Sequence, residues 1–347
     1  MFSSLTQLYD AALQNPWTMT LILIVGFTLL VKGADWLVDG ASAVAKRLGV
    51  SDLIIGLTVV AFGTSMPEFV VNLISANQDN SALAITNVLG SNAINIFVIL
   101  GLTALIWPVA SEKQSRYVDI PVACAGALLI FTFACFSMPW HWSLVSDGTD
   151  YITGVGGAIL VGGFLLYMMY LTHQARLAKT GAQNPIPADH DDAPKSLSIG
   201  VALLLVLVGL IGLSVGGEMC VDSATAMAKA LGVSDAIIGL TIVALGTSLP
   251  ELATSVIAAH KQNSDLALGN CVGSCIFNVF FVLAITACIT PLRGYEGLWL
   301  DAFMAFLGPA LVWLMVMRNH DHKITRLDGA ILLIVYSAYL TLRLLQA

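Results

Sequence analysis

Gly63-Thr64-Ser65-Met66-Pro67-Glu68 recurs as Gly246-Thr247-Ser248-Leu249-Pro250-Glu251, and each copy lies inside an apolar run long enough to cross a bilayer. A carboxylate at membrane depth is rare and by default marks a substrate or ion path. The proline adds a backbone argument. A helical N–H bonds the carbonyl four residues back, so Pro67 is expected to leave the Gly63 carbonyl unbonded, and Pro250 that of Gly246. Interrupted backbone at this depth persists only where freed carbonyls face protein, water or a bound ion. Thr64 lies four residues before Glu68 and Ser65 three, which predicts hydroxyls and carboxylate on one helix face. The expectation is an oxygen-lined, negatively charged pocket, built twice.

The composition puts this pocket in a membrane. Of 347 residues, 57% are apolar and only 11% charged, with a mean hydropathy of +0.85, which excludes an ordinary soluble domain. A spanning helix takes about 20 mostly apolar residues. Ten stretches qualify, near 17–46, 52–77, 81–107, 117–137, 150–173, 197–230, 234–259, 265–290, 297–317 and 325–346. The first and sixth, at about 30 residues, would run roughly 45 Å, so they must tilt, bend or extend past the hydrocarbon. The six cysteines read as small packing residues; Cys271 and Cys275 share a face but lack a third soft ligand. His141, His173, His190, His260, His320 and His322 fall near loops or span ends, so no imidazole site is expected at membrane depth. No resident cofactor and no nucleic-acid partner are expected.

Lys and Arg set the orientation. Lys229, Arg293 and Arg343 lie on the amino-terminal side, and eleven others, from Lys46 and Arg47 to Arg326, lie opposite. Cytoplasmic loops carry the excess of basic residues, which places both termini outside. Four segments follow: an interfacial segment 1–16, a first five-helix unit 17–173, a cytoplasmic linker 174–196 and a second five-helix unit 197–347. Residues 1–16 lack the basic start of a cleaved signal and carry Phe2, Leu5 and Leu8.

The two units repeat at a constant offset of 183 residues. Leu48-Gly49-Val50-Ser51-Asp52 returns as Leu231-Gly232-Val233-Ser234-Asp235, and Asn87, Gly90, Ser91, Asn95 and Phe97 as Asn270, Gly273, Ser274, Asn278 and Phe280. Five spans per unit is an odd number, so the units enter the bilayer in opposite directions. The expected fold is an all-α membrane protein of ten transmembrane helices in two inverted five-helix repeats. Inverted repeats whose broken helices meet at the midplane are the signature of alternating-access transporters.

Ser91 and Asn95, like Ser274 and Asn278, are four residues apart and offer a hydroxyl and an amide oxygen on one face. The candidate site is therefore Glu68, Glu251, Thr64, Thr247, Ser65, Ser248, Ser91, Ser274, Asn95 and Asn278, with freed carbonyls near Ala61 and Ala244. Hard cations take all-oxygen shells, and calcium tolerates irregular ones better than magnesium. One divalent cation neutralises both glutamates, as do monovalent cations in several sub-sites or two protons. A cage that any of these can fill, but not all together, is chemically an exchanger.

Lys32, Asp35 and Asp39 correspond to Val215, Glu218 and Asp222. They read as a Lys32–Asp35 ion pair with carboxylates reaching the outer headgroups, the functional alternatives being a second ion path or a latch between sliding helices. Gly33, Gly40, Gly212, Gly216 and Gly217 read as smooth faces for close helix packing.

With GTS-x-PE twice and G-S-x-x-x-N twice, the chain resembles the calcium/cation antiporter superfamily, over roughly 26–108 and 209–291. The resemblance implies termini outside, central ion sites, and first and sixth helices that slide to alternate access. It implies that Glu68 and Glu251 are the calcium carboxylates with Thr64 and Thr247 beside them. Ser65, Ser91, Ser248 and Ser274, with the Ala61 and Ala244 carbonyls, would serve flanking sodium sites. One departure stands out: related exchangers commonly carry an acid at one of the positions held here by Asn95 and Asn278, which leaves the coupling ion open. The function expected is antiport of Ca2+ against Na+ in the inner membrane, or against H+, or with K+ dependence. The rivals are a cation channel and an intramembrane enzyme using Ser65 or Ser248 as nucleophile, against which the duplication argues.

Overall fold

The structure is a computed structural model that describes residues 15–78, 80–136, 150–181, 197–232, 244–295 and 297–346, together with Tyr9, Ala12 and Leu13. The expectations for His141, His190, most of 1–16, the linker beyond 181 and the first half of the seventh span fall outside these residues.

Among the described residues the regular structure is helical apart from two short strand pairings. Helix α1 (Pro16–Leu48) starts where the Asn15 side chain accepts the Trp17 N–H and Pro16 fills the first turn. It stops at Gly49, whose φ of 65° is the left-handed cap glycine accommodates. Helix α2 (Asp52–Thr64) is capped by Ser51 and contains a π-helical stretch, Gly56–Val60. Helix α3 (Met66–Asn77) leaves α2 at a bend of 45°. Helix α4 (Ser81–Ile106) also carries a π-helical stretch, Ile94–Leu100. Helix α5 runs from a π-helical start, Ser115–Asp119, into Ile120–Phe136, and α6 spans Gly154–Gly181. In the second unit α7 is Ile199–Ala230, α8 Leu249–His260, α9 Ser264–Ile289, α10 Leu298–Arg318 and α11 Arg326–Gln346. Strand β1 (Val109–Ala110) pairs antiparallel with β4 (Lys323–Ile324), and β2 (Asp150–Ile152) with β3 (Leu292–Arg293).

Among the described residues eight helices are long and apolar enough to cross a membrane, and the bent α2–α3 pair makes up to nine. Two boundaries differ in an instructive way. Helix α6 continues to Gly181, past the expected span end at 173, because Gln174, Ala175, Arg176, Leu177 and Lys179 all favour helix while Gln174, Arg176 and Lys179 lower the hydropathy. Pro67 and Pro250 do not interrupt continuous helices. Each sits in the first turn of a new one, after Ser65 (φ −85°, ψ 8°) and Ser248 (φ −91°, ψ 8°) leave helical geometry. In that turn a missing N–H costs nothing.

Helices α1 and α7 pack backbone against backbone. A Cβ added at Gly33 would lie 2.7 Å from Leu213 N and 2.8 Å from Gly209 O, and one at Gly216 would lie 2.6 Å from Gly26 O. Leu30, Ala34, Leu37 and Val38 bury themselves beside this seam with Ala202, Val206 and Leu213. The expected smooth faces of Gly33, Gly40, Gly212 and Gly216 are this seam, whereas Gly217 lies nearest Leu30 and Pro250. Behind the pair, α4 and α9 form the most buried elements, surrounded by α5, α6, α10 and α11.

Candidate ion-binding site

Glu68 and Glu251 are fully buried, each in the first turn of the helix that follows the break. That is the end where unpaired N–H groups and the helix dipole favour negative charge. The break thus does two things: it re-aims the chain and puts a carboxylate at a helix N-terminus.

The hydroxyls serve the carboxylates across the repeat. Ser65 Oγ donates to Glu251 Oε1 at 2.9 Å, and Ser248 Oγ donates to Glu68 Oε1 at 3.3 Å. Neither serine bonds the glutamate three residues ahead of it, as helical spacing alone suggested, because a helix that breaks at Ser65 or Ser248 no longer holds the two on one face. Ser91 Oγ adds a bond to Glu68 Oε1 at 3.2 Å. The opposite oxygens, Glu68 Oε2 and Glu251 Oε2, are buried with no protein donor. The two carboxylates lie close enough to interact electrostatically.

Thr64 Oγ1 donates to Asn270 Oδ1 at 3.1 Å and, with Ser274, lies against Glu251; Ser274 Oγ makes no well-formed hydrogen bond. Asn278 Nδ2 donates to Asn92 Oδ1 at 3.1 Å, leaving its Oδ1 without a partner. Asn95 is fully buried with both side-chain polar atoms unpaired. Thr247 is half-buried, and Ala244 opens the short helical turn Ala244–Gly246. The Ala61 carbonyl is not free: it accepts the Ser65 N–H at 3.1 Å and the Thr64 hydroxyl at 3.4 Å. The turn at Ser65 keeps this carbonyl bonded although the helix breaks there.

Two residues that hold the site were named only as repeat matches. Asn87 Nδ2 donates to the Glu68 carbonyl at 3.1 Å and to Asn72 Oδ1 at 2.7 Å. Asn270 Nδ2 does the same for the Glu251 carbonyl at 3.2 Å and Ser255 Oγ at 2.9 Å. Each amide ties α4 or α9 to the backbone of the glutamate it faces. Asn72 and Ser255 are repeat counterparts with different side chains, so identity could not reveal them. Where α4 meets α9, Asn92 Nδ2 donates to the Cys275 carbonyl at 3.3 Å and Cys275 Sγ to the Asn92 carbonyl at 3.7 Å. Asn92 and Cys275 are themselves 183 apart.

A cavity of about 740 Å³ borders Gly63, Met66, Leu210 and Phe277, and its repeat counterpart of about 530 Å³ borders Gly246 and Leu249. Both are apolar and neither is lined by Glu68 or Glu251, so neither is the ion site. Chemically the polar centre offers two carboxylates, a ring of hydroxyls and amide oxygens, and acceptor atoms with nothing to accept. Among the described residues no group of three His, Cys, Asp or Glu side chains forms a metal cluster. The donor set is all oxygen, which suits a hard cation held through hydroxyls and amides.

Comparison with known proteins covers most of the chain. The model of the sodium/calcium exchanger protein family matches residues 18–173 and 201–345. The chain is 36% identical to inner membrane protein YrbG of Escherichia coli over 273 residues, 78% of this chain and 80% of that protein. It is 30% identical to the sodium/calcium exchanger MaX1 of Methanosarcina acetivorans over 339 residues, 92% of this chain and 97% of that protein. A structure of the sodium-calcium exchanger NCX_Mj soaked with 10 mM Na+ and zero Ca2+ superposes with a TM-score of 0.72 and 28% identity, covering 94% of this chain and 99% of that one.

Proposed function

Because the chain belongs to the sodium/calcium exchanger family, we propose that it is a secondary-active antiporter moving Ca2+ outward against inward Na+ by alternating access to the central cage. Ca2+ is the cargo, held by Glu68 and Glu251 with Thr64 and Thr247 beside them. Na+ occupies flanking sub-sites at Ser65, Ser91, Ser248 and Ser274, and Asn95 and Asn278 supply amide oxygens. The observation that carries this reading is the crossed pair of hydrogen bonds, Ser65 to Glu251 and Ser248 to Glu68, which makes one compartment of two half-sites. Two buried carboxylates facing one compartment demand compensating positive charge. A divalent cation supplies it in one piece and Na+ in several, so occupancy by one excludes the other.

We read the fold as ten spans in two inverted repeats, 17–173 and 197–347, joined by a linker from 174 to 196. The reciprocal contact between Asn92 and its own counterpart Cys275 supports a local two-fold axis between the repeats. Both termini lie outside, and the localisation is the inner membrane.

The test is Ca2+ uptake into proteoliposomes under an imposed Na+ gradient or an imposed pH gradient. Uptake that requires trans Na+, and that Glu68→Gln and Glu251→Gln each reduce at least about a hundredfold, agrees with removal of a ligand realised at the ion itself. Uptake driven by the pH gradient alone assigns the coupling to H+. Uptake with no trans ion makes the protein a channel.

A further inference from the structure

Outside the cage, one end of α1 carries a cluster of charged and polar contacts to neighbouring elements, and among the described residues its repeat counterparts on α7 have other partners. Lys261, in the turn between α8 and α9, places Nζ 2.6 Å from Asp35 Oδ1 and 2.6 Å from Asp39 Oδ1. It also bonds the Asp35 backbone carbonyl at 3.3 Å. The expected Lys32–Asp35 pair is therefore not the pairing that forms at Asp35. Two residues on, Asn263 Nδ2 donates to Ser42 Oγ at 3.0 Å and to Asp52 Oδ2 at 2.6 Å. Asp35, Asp39 and Ser42 lie on α1, at the end that carries Lys46 and Arg47, whereas Lys261, Asn263 and Asp52 lie on its neighbours.

The 183-residue offset names the mirror of this cluster at the other end: Gln78 for Lys261, Asn80 for Asn263, and Glu218, Asp222 and Thr225 on α7 for Asp35, Asp39 and Ser42. The counterpart of Asp52, Asp235, lies outside the described residues. Among the described residues the mirror contacts on α7 differ, while the caps of the following helices match. Thr225 Oγ1 is buried without a partner, and Asp222 accepts a hydrogen bond from Tyr9 at 3.2 Å instead. Asn80 caps Leu83 N as Asn263 caps Leu266 N. Lys261 closes one cluster, whereas Gln78 stands at its counterpart in the image, and the α1–α7 glycine seam packs the two helices backbone against backbone.

We propose that Lys261 and Asn263, engaging Asp35, Asp39 and Ser42, form a latch that holds the α1–α7 pair in one of its two access positions, and that exchange requires this latch to open. Lys261, Asn263 and Ser42 are positioning residues that act on the ion site through α1. The proposal rests on the exchanger reading above. The substitution of Gln78 for lysine in the mirror biases the resting state: the closed end has an ammonium on two carboxylates, and its image has a neutral amide. Burial weighs against the Lys261 charge, but the bonds to Asp35 and Asp39 hold its ammonium above the usual 10.5, so the latch stays charged at working pH.

Two measurements on the full chain test it. In the first, Ser42→Cys and Asn263→Cys are combined and the protein is reconstituted. Oxidation to a disulfide is expected to cut Na+-dependent Ca2+ uptake at least about tenfold, with recovery on reduction, because a bridge fixes one of two states. A bridged protein that exchanges within about twofold of its reduced form overturns the latch, by the same population arithmetic. Failure to bridge at all overturns it too, since the side chains are in contact. The second measurement needs no flux. With Ser42→Cys as reporter, Lys261→Gln is expected to raise alkylation by an impermeant maleimide from the Lys46 side about threefold, the scale of a partly exposed ion pair. An unchanged rate overturns the latch even if exchange is normal. Absence of Na+-driven uptake by the unmodified chain would refute the exchanger reading while the alkylation result stood on its own.

Discussion

Asn270 shows how much of the site is held by residues that need not touch an ion. Its amide donates to the Glu251 carbonyl and Ser255, and its oxygen accepts from Thr64. Asn270→Ala removes the three hydrogen bonds that tie α9 to the Glu251 carbonyl, Ser255 and Thr64, at about 1–3 kcal/mol. The expected result is a melting temperature lowered by several degrees in detergent and a raised Ca2+ KM, since Thr64 and the Glu251 backbone lose the same anchor. A variant with unchanged melting and KM would make the contact incidental. Helical spacing did not reveal this role, and the repeat flagged the position without saying what it does.

The elements carry the second level of design. A glycine seam is a statement about backbone distance, so it predicts position-specific cost. Gly33→Ala puts a methyl 2.7 Å from the Leu213 backbone nitrogen, where no side chain can move aside. Forcing α1 from α7 is expected to cost about 1–3 kcal/mol, read as lowered thermal stability. Gly162→Ala in α6 meets nothing within 4 Å and is expected to be neutral or stabilising, since alanine is the better helix former. Equal effects at the two sites would remove the seam as an explanation. At the same scale, π-helical stretches sit in α2, α4 and α9, the helices that carry or face the site motifs, and a further one opens α5. Hydropathy is blind to these, because an i→i+5 bond changes register without changing composition.

At the scale of the whole molecule, the basic residues make a topological prediction. If the linker is cytoplasmic, Lys195→Cys is expected to react with an impermeant maleimide in inverted vesicles and not in intact cells. Labelling in intact cells would turn the molecule over and reverse the direction assigned to transport. The reciprocal contacts at the centre, Ser65 with Glu251, Ser248 with Glu68 and Asn92 with Cys275, are independent of that orientation.

The sequence by itself determined the membrane class, the positions of the described helices to within a few residues apart from the end of α6, the duplicated acidic motif and the residues worth suspecting, because hydropathy, proline and an exact offset are all local or periodic signals. Only the tertiary structure decided which serine serves which glutamate, that the Ala61 carbonyl is already bonded, that prolines begin helices here, and that Lys261 is the partner of Asp35. These outcomes depend on where a chain goes after it turns. A single non-helical residue at Ser65 or Ser248 redirects everything beyond it, and no spacing rule carries across such a break.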